Sequence, residues 1–324
     1  MADNHLIEPN KVTIIIPTYN RARLLKRAME SVFAQTYRPL EMIIINDGGT
    51  DNTDKVIEEF RVLNDGGINL IYHKQKNHER SVARNSAIDK ATGKYLCFLD
   101  DDDEFLPNKI ERSVSFLSQH PDVDLVFSNA YMEENGHTVM RRSLKAEGMK
   151  DHTQDEVIKR LCKGNFIPIT NVLIKMSAVK ANKFNPKYST HEDYELWLRL
   201  ATKIRFDWVD EPLSLIHRHE IKVRYDMGDH ILDQINILLE HISEFPQCFY
   251  EILQKLAGLK KTLLEYYPEE ENMRKKADGF LSKFNGEMKR AFSDRLTHIM
   301  SNTSGSRRLI SLIILHWQKN KMLA

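Results

Sequence analysis

Only three cysteines occur in the 324 residues, and Cys97, Cys162 and Cys248 lie far apart. No disulfide framework and no zinc-ligand spacing can be built from them, which points to a reducing compartment. The N-terminus, Met1-Ala-Asp-Asn-His-Leu6, has neither a basic region nor an apolar run, so no signal peptide is expected. No stretch approaches the ~20 apolar residues of a membrane span. Together these absences lead to the expectation of a cytoplasmic chain. Glycine-rich phosphate loops are missing too: no G-x-G-x-x-G follows the first strand and no Walker lysine motif occurs. That argues against a dinucleotide site or a P-loop. Internal repeats and low-complexity segments are also absent.

The net charge is only +1, yet it is unevenly spread. From Met273 to Ala324 there are eleven Lys/Arg against three Asp/Glu, so the rest of the chain is acidic. An acidic body argues against a nucleic-acid partner, and a basic tail suits an anionic lipid surface.

Strand and helix alternate through the first half. Val12-Thr-Ile-Ile-Ile16 and Met42-Ile-Ile-Ile45 are short and apolar, as strands buried on both faces should be. Between and after them, Arg23–Gln35, Asp54–Leu63 and Val82–Ala91 read as helices, and Asn69–His73 and Tyr95–Leu99 as further strands. This pattern predicts an α/β fold with a mostly parallel sheet flanked by helices. Near residues 222–228 the character becomes helical, with stripes such as Ile231, Ile235, Leu238, Leu239 and Ile242. We therefore expect a domain over 1–224 and a helical C-terminal region over 225–324.

One apolar strand ends in four aspartates, Asp100-Asp-Asp-Asp103. Side-by-side carboxylates repel one another, and a hard divalent cation such as Mn²⁺ or Mg²⁺ offsets that charge while meeting substrate phosphates. Strand one runs into Pro17-Thr-Tyr-Asn20 and strand two into Asn46-Asp-Gly-Gly49. Three polar strand ends in an α/β sheet converge on one crevice at the carboxyl edge.

Ile14-Ile-Ile-Pro-Thr-Tyr-Asn20, Asn46-Asp-Gly48, Ala83-Arg-Asn85, Ala91-Thr-Gly93, Phe98-Leu-Asp-Asp-Asp-Asp103 and His191-Glu-Asp-Tyr-Glu-Leu-Trp197 occur in that order. Over residues 10–220 the chain thereby resembles the family 2 inverting glycosyltransferases of the GT-A fold, which use nucleotide sugars. The resemblance implies a base pocket lined by Pro17, Thr18 and Tyr19, with Asp47 accepting the uracil imide N–H. It implies that Arg84 meets the base or diphosphate, Asp101 the ribose, and Asp102 with Asp100 a Mn²⁺ or Mg²⁺ ion. His219 is a further candidate for the metal or diphosphate; His217, two residues away in an extended segment, would face the same side. The catalytic base it implies is Asp193, taking the proton of an attacking hydroxyl, with Glu192 positioning the acceptor. Acidic residues at that point would equally favour a helix N-terminus.

Two departures from the family pattern stand out. Asn77-His-Glu-Arg-Ser81 replaces the glycine that relatives usually carry before Ala-Arg-Asn, so Glu79 and Arg80 should reshape the pocket. The Gln-x-x-Arg-Trp motif of processive synthases is absent; Glu195-Leu-Trp-Leu-Arg199 stands instead. The expected enzyme transfers one sugar from a UDP-sugar donor to a glycan or lipid-linked acceptor. Segment 307–321, apolar between basic ends, is a candidate for peripheral contact at the inner face of a membrane, or for packing on the tail's own helices or a second subunit. Two competing readings are a sugar-nucleotidyltransferase and a non-catalytic nucleotide-sugar-binding subunit. The first lacks its usual glycine-rich basic loop after strand one; the second has no use for both Asp102 and Asp193.

Overall fold

The computed structural model describes residues 7–64, 66–134, 137–141, 152–217 and 227–266. The chain divides into two compact units, Met1–Arg224 and Tyr225–Ala324.

Among its described residues the first unit is built on a nine-stranded sheet in the order β3 (Ile68–Gln75), β2 (Leu40–Asp47), β1 (Glu8–Thr18), β4 (Gly93–Phe98), β8 (Val172–Lys175), β6 (Leu125–Glu134), β9 (Phe206–His217), β5 (Glu104–Phe105), with β7 (His137–Arg141) paired to β6. The strands β1 (Glu8–Thr18), β2 (Leu40–Asp47), β3 (Ile68–Gln75) and β4 (Gly93–Phe98) run parallel. Helices α1 (Ala22–Phe33), α2 (Thr53–Leu63) and α3 (Glu79–Lys90) connect them. Ile14, Ile15 and Ile16 are fully buried in succession, so β1 is covered on both faces. Each such side chain contributes about 1.5–3 kcal/mol. α1 buries Leu25, Ala28, Met29 and Val32, the stripe that its 3.6-residue period aligns on one side.

The second half of the sheet is mixed, a change from the all-parallel pattern of the βαβ half. β8 (Val172–Lys175) runs antiparallel to both β4 and β6 (Leu125–Glu134). β9 (Phe206–His217) lies parallel to β6, and the two-residue β5 (Glu104–Phe105) pairs antiparallel with β9. β7 (His137–Arg141) forms an antiparallel arm on β6. The helices of this half are α4 (Lys109–Gln119), α5 (Gln154–Lys163), α6 (Met176–Lys180) and α7 (Glu192–Ala201).

A buried carboxylate pins the register of the parallel strands. Glu41, fully buried on β2, accepts hydrogen bonds from Thr13 Oγ1 (2.8 Å), Thr92 N (2.9 Å), Thr92 Oγ1 (2.8 Å) and Asn69 Nδ2 (3.2 Å). A buried charge is tolerated when donors surround it in this way. Gly93, beside this network, allows close strand approach: a Cβ there would lie 2.7 Å from the Thr13 backbone nitrogen.

In the second unit, α8 (Met227–His241) buries Ile231, Ile235, Leu238 and Leu239, and α9 (Phe249–Tyr266) buries Ile252 and Leu256. No helix among the described residues is long and apolar enough to cross a membrane. The basic-ended segment 307–321 and His219 lie outside the described residues.

Candidate active site

The carboxyl ends of β1, β2 and β4 meet at one cleft, as the strand-end rule for open α/β sheets requires. Pro17, Thr18 and Tyr19 line it from β1 and the loop that follows, Asp47 from β2, Arg84 from α3, and Asp100, Asp101 and Asp102 from the turn after β4. All eight were expected there. Arg21, Glu79 and Arg80 complete the lining.

Loop-to-loop hydrogen bonds set the shape of this edge. Asn20 Oδ1 accepts from Thr50 N at 2.7 Å, and Asn46 Oδ1 from Gly49 N at 2.7 Å. Asp51 caps two helices at once: its Oδ2 accepts from Ala22 N of α1 (2.8 Å), and its Oδ1 from Thr53 N of α2 (3.1 Å). Such a carboxylate satisfies orphan N–H groups and matches the helix dipole. Asp47 is similarly anchored, with Oδ1 accepting from Gln75 Nε2 (2.8 Å) and His78 N (3.0 Å). Its Oδ2 has no hydrogen-bond partner among the described residues.

The four aspartates form a tight turn between β4 and β5, closed by a 3.0 Å bond from Asp103 N to the Asp100 carbonyl. Their side chains diverge. Asp101 points inward, accepting from Thr18 Oγ1 at 2.8 Å and Arg21 Nη1 at 3.1 Å. Burial and the charge of Asp102 push Asp101 up to about 6, against the pull of Arg21 and Thr18. Asp102 Oδ2 accepts from Arg21 Nη1 at 2.8 Å. Asp103 accepts from Thr170 Oγ1 (2.8 Å) and His217 N (3.2 Å); burial first, then Asp100 and Asp102, raise it well above its ordinary value.

Asp100, Asp102 and Asp103 each bring one carboxylate oxygen to within 4.8 Å of the others. An oxygen-only donor set whose mutual repulsion needs a cation fits Mg²⁺ or Mn²⁺. Asp103 was not among the expected ligands; in a run of four identical residues only the turn geometry selects it. His217 is held between Glu104 (2.6 Å from Nε2) and Glu133 (2.8 Å from Nδ1).

Asp193 stands at the start of α7, outside the lining of the cleft but adjacent to it through Glu192. Arg84, 1% exposed, donates from Nη1 to Glu192 Oε1 at 2.5 Å and from Nη2 to Asp100 Oδ1 at 2.6 Å. Arg80 Nη1 approaches the same Glu192 oxygen at 3.7 Å. One buried guanidinium thus joins the acidic turn to the acidic start of α7. Asp193 is half-buried, accepting from Asn165 Nδ2 (2.9 Å) and from the Tyr194 backbone N–H (2.8 Å). Burial and the neighbouring Glu192 push it up to about 7, while Asn165, Tyr194 N–H and Arg84 pull down. A carboxylate poised there suits proton transfer at neutral pH. Tyr194 OH to the Leu161 carbonyl (2.6 Å) and Trp197 Nε1 to the Ile167 carbonyl (3.0 Å) lock α7 in place.

Arg21 and Asn165 join the site without having been expected from the sequence. Arg21 directly follows Pro17-Thr-Tyr-Asn20, which was a usable signal; nothing local to Asn165 points to Asp193.

A family model described as Glycosyl transferase family 2 matches residues 13–182. The uncharacterized glycosyltransferase MJ1057 of Methanocaldococcus jannaschii is 29% identical over 228 residues, 69% of this chain and 74% of that protein. An uncharacterized glycosyltransferase of Rickettsia felis is 30% identical over 212 residues, 65% of this chain but only 33% of the relative's own length. Among solved structures, S. aureus TarS 1–349 in complex with UDP aligns with a TM-score of 0.64 at 17% identity, covering 82% of this chain and 77% of that one. At that identity the likeness establishes a shared fold.

Proposed function

The chain belongs to glycosyl transferase family 2, and from that premise we propose that it moves one sugar from a UDP-sugar to a hydroxyl of a glycan or lipid-linked glycan, with inversion at the anomeric carbon. The observation that carries this reading is the Arg84 bridge, which ties Asp100 to Glu192 and so couples an acidic, metal-suited turn to a carboxylate pair poised for base catalysis. The UDP complex of TarS, a protein of the same fold, supports the choice of donor.

In this reading Pro17 and Tyr19 provide the apolar faces for the base, and Asp47 Oδ2 accepts the imide N–H of uracil. Thr18 and Asp101 sit behind the ribose, with Arg21 and Arg84 as fixed cations along the diphosphate. Asp100, Asp102 and Asp103 would hold the metal, with His219 a further ligand. A bound Mn²⁺ or Mg²⁺ would offset negative charge on the leaving diphosphate.

The acceptor hydroxyl approaches the face of the sugar opposite the diphosphate. Asp193 takes its proton as the new C–O bond forms, and the bond from the anomeric carbon to the UDP oxygen breaks, giving inverted product and UDP. Glu192, held by Arg84, orients the acceptor. Asn165 keeps the Asp193 carboxylate aimed and helps to hold it ionised. The unit over 1–224 is the catalytic domain; the unit over 225–324 serves oligomerisation or a membrane-proximal acceptor.

The test is incubation with UDP-GlcNAc and other UDP-sugars, with Mn²⁺, over a mixture of polyprenyl-linked glycans and free oligosaccharides. Proton NMR then reads the anomeric coupling of the transferred sugar. A β-linked product from an α-linked donor is expected; an α-linked product contradicts inversion.

A further inference from the structure

Glu79 occupies a backbone conformation that a long, charged residue seldom takes. Its φ is +70°, in the left-handed region where a side chain crowds the following carbonyl. Glycine is the residue that such a position ordinarily calls for. The loop leaves no latitude. The His78 backbone N–H is committed to Asp47 Oδ1 at 3.0 Å, and the Asn77 nitrogen lies where a Cβ on Gly48 would stand 2.9 Å away. The strained residue is therefore the first of α3, and it lines the cleft with its side chain exposed.

Strain that persists at a ligand cleft is a reason to look for a ligand contact. A carboxylate here is repelled by a diphosphate, so a ligand group that meets it has to be a hydrogen-bond donor. Asp47, one loop away, already offers Oδ2 to the base. The remaining donors on a nucleotide sugar are its hydroxyls, and a carboxylate can accept from two adjacent hydroxyls at once.

We infer that Glu79 is a specificity-determining residue of the donor site, accepting hydrogen bonds from a vicinal hydroxyl pair of the nucleotide sugar. The inference rests on the UDP-sugar reading above. The pair belongs either to the ribose or to the transferred sugar, and the two sources separate by experiment.

Glu79→Gly and Glu79→Ala both remove the carboxylate, but only glycine relieves the left-handed strain. Calorimetry with UDP and with UDP-GlcNAc, each with Mn²⁺, should show both variants binding UDP-GlcNAc about ten- to a hundredfold more weakly than wild type. Weakening with both ligands assigns the ribose; weakening with UDP-GlcNAc alone assigns the transferred sugar. The glycine variant should melt about 2–4 °C above the alanine variant, which would show that any side chain at this left-handed position is held at a cost to stability. Unchanged or tighter binding by folded variants overturns the inference. Wild type that binds neither UDP nor UDP-GlcNAc overturns the donor reading itself, a separate outcome.

Discussion

Arg84 and Glu192, 108 residues apart in sequence, meet in a 2.5 Å hydrogen bond that is almost fully buried. The same guanidinium reaches Asp100 at 2.6 Å. Neither carboxylate is well placed without it. Glu192 would be a buried charge with only the more distant Arg80 opposite, and Asp100 would face its aspartate neighbours without a counter-ion.

Arg84→Met should therefore act on stability and on chemistry together. Removing one partner of a buried ion pair costs about 3–5 kcal/mol, which urea unfolding would read. Because Arg84 pulls the Asp193 pKa down, its loss should also move the acid limb of the pH–rate profile to higher pH. A variant as stable as wild type would show that the bridge is incidental.

The pH dependence of transfer should follow Asp193. Burial and Glu192 raise it to about 7, and the base works only when ionised, so activity should rise with pH through about 7 with a single-proton slope. The sign for stability is the opposite. A carboxylate raised above its unfolded value of about 4 favours folding when protonated, so its contribution is full at acid pH and is lost as pH rises from about 4 to 7. Asp193→Asn should abolish the limb, lower transfer by about 10²–10⁴-fold and leave UDP binding intact. Its melting temperature should exceed that of wild type at pH 8 and approach it at pH 5.

Arg21 competes for the acidic turn. Its Nη1 holds Asp102 at 2.8 Å and Asp101 at 3.1 Å while remaining 44% exposed. Arg21→Ala should tighten Mn²⁺ binding in the absence of nucleotide by about two- to fivefold, the scale of an exposed ion pair. Calorimetry with the metal alone reads this directly; weaker metal binding would mean that Arg21 organises the turn rather than occupying it.

Gly93→Ala should lower unfolding stability by about 1–3 kcal/mol, because the added Cβ meets strand backbone that cannot yield. The change lies at the base of β4, remote from the aspartate turn, so UDP affinity in the folded variant should match wild type.

The parallel half of the sheet was legible because its signals are local. Ile14-Ile-Ile16 and Ile43-Ile-Ile45 are too short for helices and too apolar for anything but doubly covered strands. The expected helix over Arg23–Gln35 formed over Ala22–Phe33, shifted by the cap that Asp51 supplies from another loop. β8 was not legible. Val172-Leu-Ile-Lys175 is four residues long, and its reversed direction depends on partners in β4 and β6 distant in sequence. β9 contains Pro212 and a register shift against Ser128–Ala130, both of which break the alternation that marks a strand. At the cleft, motif residues could be named in advance. Their pairings could not, because a contact such as Arg21 with Asp101 spans 80 positions and leaves no local trace.

The measurement that bears most directly on the account is calorimetric titration of UDP, GDP and NAD⁺ into wild type and Asp102→Ala, with and without Mn²⁺. UDP binding should require both the metal and Asp102, with GDP weaker and NAD⁺ not bound. UDP binding indifferent to Mn²⁺ and to Asp102, or no binding of any nucleotide, would contradict a metal-assisted nucleotide-sugar site at the aspartate turn.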